Sequence, residues 1–119
     1  MMIWVALGAA LGAGLRAGLW WLLPFWGTLA ANFIGSVLIG VLAELGLSPR
    51  AQAFSMTGFC GGFTTFSLFG LETVSFLSLR AYPEAAAYIA ATFLLSLGGA
   101  ALGLFLGKRL HLARHTPPG

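Results

Sequence analysis

The chain has 119 residues, of which 59% are hydrophobic and only 8% charged, with a net charge of +3. A soluble domain carries about a quarter of its residues charged, so six cationic and three acidic side chains cannot cover it and a soluble monomer is excluded. The sparse positive charge suits anionic lipid headgroups and excludes a nucleic-acid face, and the single cysteine, Cys60, excludes an internal disulfide or a thiolate metal cluster.

Residues 17–43, 51–71 and 85–107 contain no charge at all. Each run reaches the length of about 20 helical residues that a hydrocarbon core of about 30 Å requires. The pattern predicts an all-α membrane protein, a single domain of four transmembrane helices at about 3–23, 27–45, 52–79 and 84–107, with a polar basic tail at 108–119. The Met-Met-Ile-Trp start has no basic n-region, so no cleaved signal peptide is expected.

The first span is interrupted by Arg16 and ends in Trp20, Trp21, Phe25 and Trp26 around Pro24. Such a cluster reads as an interfacial belt at a turn. The second span places Thr28, Asn32 and Ser36 four apart, on one face. A mid-span carboxamide needs a partner in the bundle interior. The third span contains Gly58, Gly61 and Gly62 followed by Thr64 and Thr65, a weak helix expected to break at mid-membrane between 61 and 65. Irregular backbone at that depth is tolerated only where protein buries it or it lines a cavity, and its carbonyls can hold a hard cation such as sodium. Phe66 and Phe69 follow, three apart on one face, and a ring edge can meet an anion. The fourth span repeats the polar stripe with Tyr88, Thr92 and Ser96.

Glycines four apart, at Gly8/Gly12, Gly14/Gly18 and Gly99/Gly103/Gly107, mark the first and fourth helices as close-packing elements. Arg50, Lys108, Arg109 and Arg114 share one side with the termini, against Arg80 and Arg16, which favours cytoplasmic termini by a margin small enough to permit both orientations.

The segments Gly8-x3-Gly12-Ala13-x2-Arg16, Gly27-Thr-Leu-x2-Asn32-x2-Gly35-Ser36 with Gly40, and Gly58-Phe-Cys-Gly-Gly-Phe-Thr-Thr-Phe-Ser-x-Phe69-x2-Glu72 resemble the CrcB, or Fluc, family of fluoride channels over essentially the whole chain. The resemblance implies an antiparallel, dual-topology homodimer in a bacterial plasma or inner membrane. It implies passive fluoride export through two pores and a central structural sodium that is not transported. By position, the backbone carbonyls of Gly61 and Thr64 would hold the sodium, and Phe66 and Phe69 would be the ring-edge pair. Asn32, Ser67, Thr28, Tyr88, Thr92 and Ser96 would line the fluoride pore, with Arg16 and Glu72 in vestibules. Two positions depart from the family's pattern: Phe63 replaces an expected leucine and Leu68 an expected threonine.

The alternative of another class is a small dual-topology, proton-coupled multidrug exporter. It requires a membrane-embedded carboxylate in the first helix, where Arg16 is the only ionisable side chain. Glu44 reads as interfacial, His111 and His115 as solvated tail residues, and Cys60 as packing. No enzymatic activity is expected.

Overall fold

The computed structural model describes residues 1–24 and 26–112 and the helical backbone of 113–115. Phe25 of the aromatic cluster and the side chains of Arg114 and His115 lie outside the described residues. What is described is all-helical: α1 (Met2–Leu22), α2 (Trp26–Ala43), α3 (Pro49–Gln52), a π-helical stretch (Ala53–Cys60), α4 (Gly61–Phe63), α5 (Ser67–Ser78) and α6 (Tyr82–His115). Among the described residues, three helices are long and apolar enough to cross a membrane: α1, α2 and residues Tyr82–Leu112 of α6.

Local chemistry sets most of the ends. Pro24 disfavours helical geometry at the residue before it, and Leu23 leaves the helix at φ −135°, ψ 82°. After α2, Gly46 takes φ +62°, a left-handed position that glycine adopts freely. Ser48 caps α3 by accepting the Ala51 N–H at 3.3 Å, with Pro49 in the first turn. The last predicted span does not stop where the apolar run stops at Gly107; as α6 it continues through Lys108 and Arg109 to His115. Lys, Arg and Leu are good helix formers, so leaving hydrocarbon gives this segment no reason to unwind.

The break lies later than the glycines. Gly61 remains helical at φ −62°, ψ −39°. The chain opens at Thr64, at φ −83°, ψ 157°, and returns to helical geometry at Phe66. Glycine permits a break without dictating where it falls; the position is chosen by side chains reaching in from other helices.

α2 lies along α6, and α1 along the π-helical stretch and α4. Glycines set both approaches. A Cβ on Gly8 or Gly12 would collide with the carbonyl oxygens of Phe54 and Phe59, and one on Gly40 would lie 2.6 Å from the Ala100 oxygen. Gly103 abuts the Val37 carbonyl in the same way, whereas Gly14 and Gly18 meet nothing within 4 Å among the described residues. The polarity is inverted relative to a soluble protein. The largest fully buried side chains are Thr28 and Cys60, while Trp21, Leu22, Trp26 and Leu94 are exposed. Hydrocarbon offers no penalty to such a surface, so association rests on close backbone approach and on hydrogen bonds.

Gly103→Leu is therefore expected to destabilise the protomer by about 1–3 kcal/mol through overpacking against α2. Gly14→Leu, with open space at its Cβ, is expected to leave protomer stability unchanged. Thermal unfolding in detergent compares the two.

Candidate functional site

The break is assembled by two side chains from other helices. Asn32 Oδ1 accepts the Thr65 N–H at 2.8 Å, and Asn32 Nδ2 donates to the Thr65 carbonyl at 3.0 Å. In a continuing helix the Thr65 N–H would bond the Gly61 carbonyl, so this pairing leaves that carbonyl without its helical donor. The Leu68 N–H likewise bonds Thr65 Oγ1, at 3.1 Å, in place of the Thr64 carbonyl. That bond starts α5 in the manner of an N-cap. Between the two, the Gly62 carbonyl accepts from Arg16 Nε at 3.2 Å. Thr64 Oγ1 donates to the Cys60 carbonyl at 2.9 Å, closing the first half of the segment. Gly35 makes room for this arrangement, because a Cβ there would occupy the place of the Thr64 methyl.

Beside the break lies an open cavity of about 550 Å³. Its polar lining comes from Asn32, Ser36, Thr57, Thr64, Thr65, Thr92 and Ser96, none of them charged, with Gly61, Phe66 and Phe69 on the same wall. Ser36 Oγ bonds back to the Asn32 carbonyl at 2.7 Å, as hydroxyls in helices commonly do. Thr92 does not: its hydroxyl is buried, with the residue 8% exposed, and has no hydrogen-bond partner among the described residues. The Phe66 and Phe69 rings lie 5.6 Å apart at 46°; Phe69 is buried and Phe66 is 77% exposed.

A second cluster adjoins the first through Phe69, whose ring lies 5.5 Å from that of Tyr88. Glu72 accepts from Thr28 Oγ1 at 2.7 Å and from the Tyr88 hydroxyl at 2.5 Å. The pore, sodium-site and vestibule residues expected from the sequence thus divide. Asn32, Thr64, Phe66, Phe69, Thr92, Ser96 and Gly61 share the cavity, Thr28, Tyr88 and Glu72 form their own cluster, and Arg16 grips the backbone of the break. Ser67 is exposed, its hydroxyl 3.3 Å from that of Thr65. Phe63, one of the two departures, is buried and stacks on Phe59 at 5.6 Å. Leu68 takes part through its backbone.

Sequence reasoning missed four cavity residues: Ile39, Met56, Thr57 and Phe93. Phe93 meets Phe69 edge-to-face, 6.0 Å away at 87°. Its position three residues before Ser96, on a shared helix face, was the available signal. Thr57 and Met56 reach the cavity on π-helical turns, whose wider period moves side chains off the face that a 3.6-residue repeat predicts.

A family model described as CrcB-like protein, Camphor Resistance (CrcB), matches residues 3–104. A fluoride-specific ion channel FluC of Rhodospirillum centenum (strain ATCC 51521 / SW) is 43% identical over 118 residues, covering 89% of this chain and 94% of that protein. A fluoride-specific ion channel FluC 2 of Synechococcus sp. (strain CC9902) is 40% identical, covering 95% and 84%. One from Helicobacter acinonychis (strain Sheeba) is 37% identical, covering 91% and 95%.

Asn32→Asp tests the clasp with almost no change of shape. A carboxylate accepts the Thr65 N–H but cannot donate to the Thr65 carbonyl. The expected result is a loss of about 1–3 kcal/mol of stability, the penalty of an unpaired buried group, read by thermal unfolding in detergent.

Proposed function

The chain belongs to the CrcB family, and on that premise we propose that it is a fluoride-selective ion channel releasing the anion passively down its own gradient. The observation that carries this reading is the cavity of neutral donors beside the break, with the buried, unpartnered Thr92 hydroxyl in its wall. Stripping water from a small anion in a low-dielectric interior costs tens of kcal/mol unless other groups replace it. Hydroxyl, amide and ring-edge donors replace that water without a fixed positive charge that would trap the ion, and ligand number and width then set selectivity. The pore runs past Asn32, Phe66, Phe69, Ser67, Thr92 and Ser96, with Thr28 and Tyr88 further along and Arg16 and Glu72 at its vestibules.

In this reading residues 49–78 form the third of four spans, broken at mid-membrane, and two chains pair as an antiparallel, dual-topology homodimer with two pores in a bacterial plasma membrane. Gly61 and Thr64 are the natural ligands for a structural sodium. Both carbonyls have lost their helical donors to Asn32 and Thr65, and hard oxygens of this kind suit that ion. A twofold axis beside Gly61, which is exposed and has open space at its Cβ, would bring four such oxygens together. Held there, a sodium ion would tie the two breaks together without entering the pore.

Proteoliposomes containing only this protein are expected to release fluoride far faster than chloride, with no imposed proton gradient; strict dependence on such a gradient would point to a coupled exporter. Thr92→Val removes a hydroxyl with no protein partner, so stability should hold or rise by about 1 kcal/mol. Fluoride efflux should fall about tenfold, the weight of one ligand worth about 1.4 kcal/mol. Unchanged efflux would take Thr92 out of the pore.

Exchanging sodium for a large organic cation should weaken the dimer. A ligand held at one hundred times its Kd stabilises by about 2.7 kcal/mol. Dimer retention in detergent and fluoride efflux should therefore both fall, and both remaining unchanged would remove the ion from the assembly.

A further inference from the structure

Two residues at the turn between α5 and α6 carry opposite charge and stay apart. Arg80 follows α5 and Glu84 lies in the first turn of α6, and both are exposed. Among the described residues neither side chain makes a hydrogen bond or ion pair. Arg80 also holds an unfavourable backbone position. Its N–H donates to the Leu77 carbonyl at 3.0 Å and the Ala81 N–H to the Phe76 carbonyl at 2.9 Å, the pattern of a helix end closed by a left-handed residue. Its φ of +56° is a seat that glycine takes freely and that a side chain resists. A guanidinium is kept there against that strain.

The turn borders a second cavity, of about 540 Å³. Leu29, Phe76, Tyr88 and Ala91 give it an apolar lining, and the exposed Trp26 and Glu84 complete it, Glu84 being its one charged residue. α2 and α6 run in the same direction, with Gly99 beside Phe33 and Gly103 beside Val37, so their first turns share one membrane face. Glu84 immediately precedes the charge-free run 85–107, and Trp26 belongs to the aromatic cluster of an interfacial belt. The cavity therefore starts at headgroup level and continues toward the hydrocarbon at Leu29 and Ala91.

In a bilayer the apolar lining selects nothing, because lipid chains are as apolar as leucine. Selection has to come from charge. A carboxylate beside the rings of Trp26, Phe76 and Tyr88 suits a cation, which the carboxylate pairs and the ring faces attract. The planar fork of an arginine suits a phosphate. Glu84 also meets the positive end of the α6 dipole, which accounts for an acid at that position and not for the cavity beside it.

We propose that this turn seats a zwitterionic phospholipid with an ethanolamine headgroup, its ammonium on Glu84, its phosphate on Arg80 and one chain in the cavity. A primary ammonium brings three N–H donors to the carboxylate. The headgroup unites two charges that the protein itself leaves apart, and it adds no net charge to the turn. The seat is independent of the ion that the channel carries, so it stands or falls on lipid binding alone.

Thermal unfolding of the full chain in detergent, with lipid added in mixed micelles, tests the seat. Phosphatidylethanolamine should raise the melting temperature. Half of that shift should need about one-tenth of the concentration required of phosphatidylcholine, phosphatidylglycerol or N-acetylated phosphatidylethanolamine, the weight of one hydrogen-bonded charge. The acetylated lipid keeps its phosphate and chains and loses only the ammonium, so this comparison uses the unsubstituted protein. Glu84→Gln should abolish the preference for the ethanolamine lipid. Arg80→Gly should raise the lipid-free melting temperature by relieving the left-handed arginine, yet require about threefold more phosphatidylethanolamine, the weight of one exposed ion pair. An equal response to the acetylated or choline lipid overturns the proposal, as does a preference that survives Glu84→Gln. Phosphatidylglycerol acting as well as phosphatidylethanolamine would mark plain contact with anionic lipid and overturns it too, and so does an Arg80→Gly protein that binds the ethanolamine lipid undiminished.

Discussion

The reciprocal pair between the Asn32 carboxamide and the Thr65 peptide group is the interaction on which the remaining structure depends. A helix opened at membrane depth exposes N–H and C=O groups that hydrocarbon cannot satisfy, at several kcal/mol each. A carboxamide carries a donor and an acceptor side by side, and so pairs both backbone polar groups of Thr65. Arg16 from α1 and Thr65 itself cover the adjacent groups. The outcome is selective. The Thr64, Thr65 and Leu68 N–H groups find acceptors, while the Gly61 and Thr64 carbonyls have lost their helical donors.

That arrangement dictates the packing around it. α1 must come close enough for Arg16 to reach the Gly62 carbonyl, which Gly8 and Gly12 allow by seating against Phe54 and Phe59. α2 must present Asn32 to Thr65, and Gly35 removes the Cβ that would hold the two segments apart. α2 is in turn held on α6 by Gly40 and Gly103, which positions Thr92 and Ser96 across the cavity from the break. Backbone proximity does here what apolar burial does in a soluble core. The side chains with most area, Trp21, Leu22 and Leu94 among them, point away from the protomer.

The charges are placed with equal economy. The guanidinium of Arg16 is committed to a carbonyl, and the carboxylate of Glu72 is shared between two hydroxyls. Neither stands bare in the cavity, whose own polar lining is neutral. A route for a small anion gains from this, because a fixed positive charge deep in a low-dielectric region holds an anion instead of passing it on.

Composition and charge spacing were enough to establish a membrane protein of helices, and the ends near Pro24, Gly46 and Ser48 follow from short-range backbone chemistry. The polar stripes at Thr28–Asn32–Ser36 and Tyr88–Thr92–Ser96 were equally legible, since spacing of four fixes a shared face whatever the fold. Their division of labour was not. Nothing local distinguishes Ser36, which bonds its own helix, from Thr92, which bonds nothing, or reveals that Asn32 clasps a backbone 33 positions away. The same holds for the break. Gly58, Gly61 and Gly62 announce a weak helix, but weakness is permission, and the chain stays helical through all three before opening at Thr64. Which peptide gives way depends on where Asn32 and Arg16 arrive. That was decided only when α1 and α2 packed against the third segment, because a hydrogen bond between helices acts only at the register their packing permits.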